Sequence, residues 1–222
     1  MRMCRKLRRS GSPEISDISR ENVPDFRDVH VFEEEIILKR MKTKDLVLCA
    51  MFVALIAVGA FIKVPVPVVP FTLQFLFTML AGLLLGPGNG ALAVVIYIVL
   101  GLAGLPIFTQ GGGPSYIFQP SFGYIIGFAV AAYVTGRIAN EKSHPGYGRL
   151  LAANFIGLFI VYAFGMVYYY VISNFVLNTP IGLWPLFLYC FLLAVPGDIA
   201  LCILAAAIGK RMIPMIREGR LG

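Results

Sequence analysis

The chain has 222 residues, of which 58% are hydrophobic and 14% charged, with a formal net charge of +7. Soluble domains carry roughly 25% charged residues, so this composition excludes an ordinary water-soluble globule and points to a chain that crosses a bilayer repeatedly. The basic excess flanks the apolar runs, which leaves no reason to invoke nucleic acid as a partner.

Residues 1–40 differ from the rest. They hold nine basic and eight acidic residues and the run Ser10-Gly11-Ser12-Pro13, a composition that buries too little apolar surface to fold, so a disordered cytosolic extension is expected. It is read as a tail without function, or as the product of a start upstream of Met41. An amphipathic piece over 29–38 is opposed by Glu33, Glu34 and Glu35, which an anionic membrane surface repels. Residues 41–222 form the membrane domain.

Six apolar stretches follow, read as helices over residues 46–62, 71–86, 90–105, 121–138, 150–172 and 185–209. Each approaches the ~20 residues that cross a bilayer, so the expected fold class is an all-α membrane protein of six transmembrane helices. Six spans return both termini to one side. Lys39, Arg40, Lys42, Lys44, Arg137, Lys142, Arg149, Lys210, Arg211, Arg217 and Arg220 fall on that side, against Lys63 alone on the other. Cytoplasmic flanks carry the positive excess, so both termini are expected in the cytoplasm.

The polar chemistry gathers at the outer ends of the spans. Between the first two helices, Pro65, Pro67 and Pro70 predict a stiff, extended connection leading to Thr72 and Gln74. Those two side chains either meet a ligand or serve as a helix cap and an interhelical bond. The second outer connection, residues 104–124, contains Gln110, Gly111, Gly112, Gly113, Ser115, Tyr116, Phe122 and Tyr124. Consecutive glycines can turn several N–H groups toward one anion, and the aromatics supply flat walls with polar tips. An aromatic belt at the membrane interface accounts for some of the same rings. Tyr168, Tyr169 and Tyr170 end the fifth span at this level, and three consecutive residues cannot share one helical face.

In the last span, Val195-Pro196-Gly197-Asp198 predicts a bend or break just before the carboxylate. Asp198 is the one charged residue well inside an apolar stretch. A charge at membrane depth costs roughly 2.5 to 3.5 kcal/mol on insertion scales and marks a substrate or ion site; capping of a half-helix is the structural alternative. Catalytic chemistry finds no support, because His30 and His144 lie outside the apolar runs and no nucleophile, metal or phosphate-loop constellation assembles. Cys4, Cys49, Cys190 and Cys202 lack metal-ligand spacing, and three of them read as small hydrophobes in apolar runs.

The run 67–74, the segment Leu80-Ala81-Gly82-Leu83-Leu84-Leu85-Gly86, residues 97–108 with Gly101-Leu102-Ala103-Gly104-Leu105-Pro106, residues 111–127 and Pro196-Gly197-Asp198 carry a resemblance. Together, over residues 41–212, they resemble the biotin-specific substrate-binding subunit of energy-coupling-factor transporters, the BioY family. The resemblance implies a subunit of the bacterial cell membrane that captures biotin from outside and needs no cofactor. It further implies a transmembrane coupling subunit and two cytosolic ATPases as partners, with Ala50 and Ala54 on the docking face, where small residues permit close helix approach. Packing within the chain is the alternative role for the two alanines.

The chain departs from the family's pattern in three places, one of them Gly111, where some members have Asn in the glycine loop. Relatives carry Lys one turn after the aspartate and Arg after the Gly-Tyr pair, where this chain has Leu201 and Ile125. The ligand's carboxylate is therefore assigned to the N–H groups of Gly111–Gly113 with Gln110, Ser115 or Tyr116, and Lys63 is the competing candidate. Asp198 is expected to accept from the ureido N–H groups and Gln74 to donate to the ureido carbonyl. An autonomous proton-coupled carrier for a small organic acid, and a scaffold without ligand, are the readings from other classes.

Overall fold

The computed structural model describes residues 43–64, 71–142, 145–177, 181–188, 192 and 194–221. The extension 1–40, the prolines Pro65, Pro67 and Pro70, and Cys4 and Cys190 lie outside these. Helix α1 spans Thr43–Phe61 and leads into two short antiparallel strands, β1 Lys63–Val64 and β2 Phe71–Thr72, with Lys63 opposite Thr72 and Val64 opposite Phe71. Then come α2 Gln74–Leu85, α3 Pro87–Leu102, a 3₁₀ turn Pro114–Phe118, α4 Phe122–Asn140 and α5 Tyr147–Val171. A π-helical turn Ile172–Val176 continues α5, and a short α6 Leu183–Phe187 precedes α7 Val195–Leu221.

The helices expected over 71–86 and 90–105 form as α2 and α3, with 12 and 16 residues. At 1.5 Å per residue they are about 18 and 24 Å long, below the ~30 Å of a bilayer core. Among the described residues, four helices are long and apolar enough to cross a membrane: Thr43–Phe61, Phe122–Asn140, Tyr147–Val176 and Val195–Ile216. The chain is thus a multi-pass, all-helical membrane protein.

The brevity of α2 has a local cause and a packing consequence. It stops at Gly86, whose φ of +89° favours glycine, and Pro87 then opens α3 at a position where its missing N–H costs nothing. Every α2 residue except Phe77 is buried, because α1, α3, α4 and α7 all pack around it. A helix that is apolar on every side belongs in such a setting.

Close backbone contact holds α2, α3 and α4 together. A Cβ on Gly82 would lie 2.4 Å from the Ala132 carbonyl oxygen, one on Gly90 2.8 Å from the Ala81 oxygen, and one on Gly136 2.7 Å from the Gly82 oxygen. Without side chains at these points the helices approach as small-residue seams do in membranes. At the end remote from the strands, the Asn140 amide donates to the Leu83 and Gly136 carbonyls at 3.3 and 2.8 Å. Arg149 pairs with Glu141 and donates through Nε to the Ile138 carbonyl at 2.8 Å.

The last helix corrects the expectation of one span over 185–209. Helix α7 begins at Val195, so Pro196 and Gly197 stand in its first turn instead of interrupting a span. Proline is tolerated there because the first N–H groups have no helical acceptor.

The seam makes a testable prediction. Gly82→Ala forces α2 away from α4 and destabilises the fold by about 1 to 3 kcal/mol, the usual penalty of overpacking. Thermal unfolding of the purified protein reads this as a lower Tm, whereas Gly88→Ala, with nothing within 4 Å of the new Cβ, leaves Tm unchanged or raises it.

Candidate binding site

At the strand end of the bundle, five segments converge on an open cleft of about 630 Å³, counting the solvent at its mouth. Strand β2 and α2 contribute Thr72, Gln74 and Phe75; the second outer connection contributes Thr109, Tyr116 and Ser121. Tyr124, Ile125 and Phe128 come from α4, Val161 and Tyr162 from α5, and Ala194 and Asp198 from the start of α7. Phe75, Ile125, Phe128 and Val161 give the cleft apolar walls, and its polar groups divide into two sets.

The deep set centres on Asp198, which is 7% exposed. Its carboxylate accepts from the Tyr162 hydroxyl at 2.5 Å. The carboxylate also lies in the first turn of α7, where the helix dipole favours negative charge. The Tyr162 ring meets that of Tyr124 edge-on, with centroids 6.0 Å apart, and Gly165 makes room for Tyr124 because a Cβ there would lie 2.3 Å from its ring. Gln74 is 3% exposed, and its side chain bonds the hydroxyl of Tyr97, which itself donates to the Ile107 carbonyl at 2.9 Å. The buried amide thus lines the cleft beside a phenol that holds it in place.

The second set lies at the mouth. The Thr109 and Tyr116 hydroxyls are 3.0 Å apart, and Tyr116 is 3.3 Å from the Ser121 hydroxyl. The Lys63 ammonium donates to the Thr109 carbonyl at 3.4 Å.

The connection carrying Thr109 and Tyr116 is built on Phe108, which is wholly buried. Its ring occupies the space beside Gly101, where a Cβ would come within 2.1 Å. Tyr97, Phe108, Tyr116, Phe122 and Tyr168 then follow one another as a row of rings with centroid spacings of 5.3, 4.5, 6.3 and 6.0 Å. Tyr168 closes the row by donating to the Ile117 carbonyl at 2.5 Å.

Of the residues singled out in the sequence, Thr72, Gln74, Tyr116, Tyr124 and Asp198 line the cleft. Phe122 is buried behind Tyr116 instead. The glycine loop is placed differently from the expectation that its N–H groups face an anion. Gly111 and Phe108 exchange backbone bonds, and the Gly113 N–H donates to the Gly101 carbonyl at 2.7 Å. The φ values of +114° and +104° at Gly111 and Gly113 therefore fold the loop back onto α3. Gly112 packs against the Leu105 carbonyl, which a Cβ would meet at 2.1 Å. Gln110 and Ser115 are exposed and outside the lining of the cleft. The sequence reading missed Tyr162, Thr109 and Ser121. Only Tyr162 left a trace, as a phenol in the middle of an apolar run, well before the interfacial tyrosines at 168–170. Ala50 and Ala54 are exposed on α1, on one stripe with Val47 and Val58.

Comparison with known proteins gives a consistent set. The BioY family pattern matches residues 34–218. The probable biotin transporter BioY of Lysinibacillus sphaericus is 47% identical over 184 residues, covering 83% of this chain and 94% of that protein. The biotin transporter BioY of Rhizobium etli is 34% identical, covering 78% and 95%. A solved structure described as the S-component for biotin from an ECF-type ABC transporter superposes with a TM-score of 0.62 at 28% identity, over 78% of this chain and 94% of that one.

The deep set of the cleft can be tested without a ligand. Tyr162→Phe takes away the donor that Asp198 receives and lowers stability by about 1 to 3 kcal/mol, the usual cost of leaving a buried polar group unmet. In an Asp198→Asn background the same change costs less, and thermal unfolding of the two single variants and the double variant measures the coupling.

Proposed function

This chain belongs to the BioY family, and we propose that it captures biotin at the cleft above, as the substrate-binding subunit of an ATP-driven energy-coupling-factor transporter. The observation that carries the reading is the deep polar set. Biotin's bicyclic head presents two urea N–H donors and one carbonyl acceptor. Asp198, oriented by Tyr162, accepts from the N–H groups, and the buried Gln74 amide donates to the carbonyl. The apolar walls suit the sulfur-bearing ring and the alkyl tail.

The remaining parts of the proposal concern topology and partners. Helix α2, enclosed by its neighbours, and α3, which keeps an exposed face, complete six crossings, both termini lie in the cytoplasm of a bacterial cell, and the cleft opens outward; the Lys and Arg asymmetry of the flanks supports this. The ATP is hydrolysed by two partner ATPases, coupled through a transmembrane subunit. The exposed Ala50 and Ala54 support docking of that subunit on α1, because small side chains let a second helix approach.

Asp198→Asn replaces an acceptor by a donor and weakens biotin binding by roughly tenfold to a hundredfold, read by titration calorimetry of the purified chain. Unchanged affinity in a folded variant assigns the carboxylate to the helix start alone. Ala50→Leu or Ala54→Leu leaves biotin binding intact and lowers ATP-driven uptake into vesicles that contain the whole complex. Uptake that follows a pH gradient in vesicles lacking ATPases would show an autonomous carrier instead.

A further inference from the structure

We infer that the mouth of the cleft is a built receptor for the ligand's carboxylate, with Lys63 as the residue that makes the protein select the acid over its uncharged derivatives. The inference rests on biotin as the ligand and goes beyond it, because the deep set recognises only the head. An acid whose head lies against Asp198 has its like-charged end directed elsewhere, and the mouth is where the cleft offers positive charge.

Three observations converge there. First, Arg137, Arg149, Lys210 and Arg211 stand several turns along their helices from the cleft-lining positions. Lys63 donates through its ammonium to the Thr109 carbonyl, and an ammonium carries three N–H donors. Second, strand pairing sets Lys63 opposite Thr72, a lining residue, which brings the base of its side chain beside the cleft. Third, Thr109, Tyr116 and Ser121 form a row of three hydroxyls joined by two hydrogen bonds. Three hydroxyls carry three hydrogens and two bonds use two, so one O–H of the row remains to donate to an anion. Of the other candidates, Ile125 lines the cleft without charge, and the Gly111 and Gly113 N–H groups are occupied by Phe108 and Gly101.

An exposed charge pair is screened by salt and a neutral contact is not, which gives a readout separate from affinity alone. The test titrates biotin and biotin amide into the purified full chain at low and high salt. For the native protein, biotin binding weakens as salt rises and biotin amide binding does not. Lys63→Met weakens biotin by roughly twofold to fivefold, removes the salt dependence and leaves biotin amide unchanged. Lys63→Arg retains both the preference and the salt dependence. If Lys63→Met weakens acid and amide equally, or neither, the assignment is overturned while biotin as the ligand stands. If the native chain binds neither compound, the ligand itself is wrong and the assignment falls with it.

Discussion

The binding end of the molecule depends on one buried contact, the ring of Phe108 against the bare backbone of Gly101. The ring is completely enclosed, and any side chain on Gly101 would overlap it. Once Phe108 is seated, its backbone exchanges bonds with Gly111, the Tyr97 hydroxyl reaches the Ile107 carbonyl, and Tyr116 packs against the ring at a tilt of 42°. A loop with three consecutive glycines would otherwise lose far more conformational entropy on ordering than a few hydrogen bonds return. The aromatic anchor supplies the buried area that offsets this, and so fixes Thr109 and Tyr116 at the lip of the cleft.

A second constraint is electrostatic. Asp198 is buried in surroundings where an isolated carboxylate is costly, and the structure lowers that cost with a phenol donor from α5 and the favourable end of the α7 dipole. The same arrangement determines what the group can do. Tyr162 orients the carboxylate toward a cleft walled by Phe75, Ile125, Phe128 and Val161. The seam between α5 and α7 is therefore both a packing interface and half of the site; farther along it the Asn154 amide donates to the Cys202 carbonyl at 2.9 Å.

Local features of the sequence were legible where the physics is local. Apolar runs located the first five helices to within a few residues, and a lone acid in such a run pointed to the cleft. Pro196 and Gly197 flagged an irregularity before Asp198, and they stand in the first turn of α7, where a missing N–H is harmless. What was not legible depended on contacts across the chain. Gly111–Gly113 looked like an anion nest, yet the N–H groups of Gly111 and Gly113 are taken by the carbonyls of Phe108 and of Gly101 on α3. Tyr162 reads as one more apolar residue until α5 and α7 are adjacent. The six apolar runs also concealed that α2 is short, since hydropathy does not distinguish a helix facing lipid from one enclosed by other helices.

The pairing of Asp198 with Tyr162 ties together two helices whose partner residues lie 36 positions apart in the chain. Until α7 packs on α5, the phenol has no carboxylate to meet and the acid has no donor to offset its burial. A ligand stabilises only the state that binds it, so on the proposed reading a compound held at this pair would also clamp the two helices together.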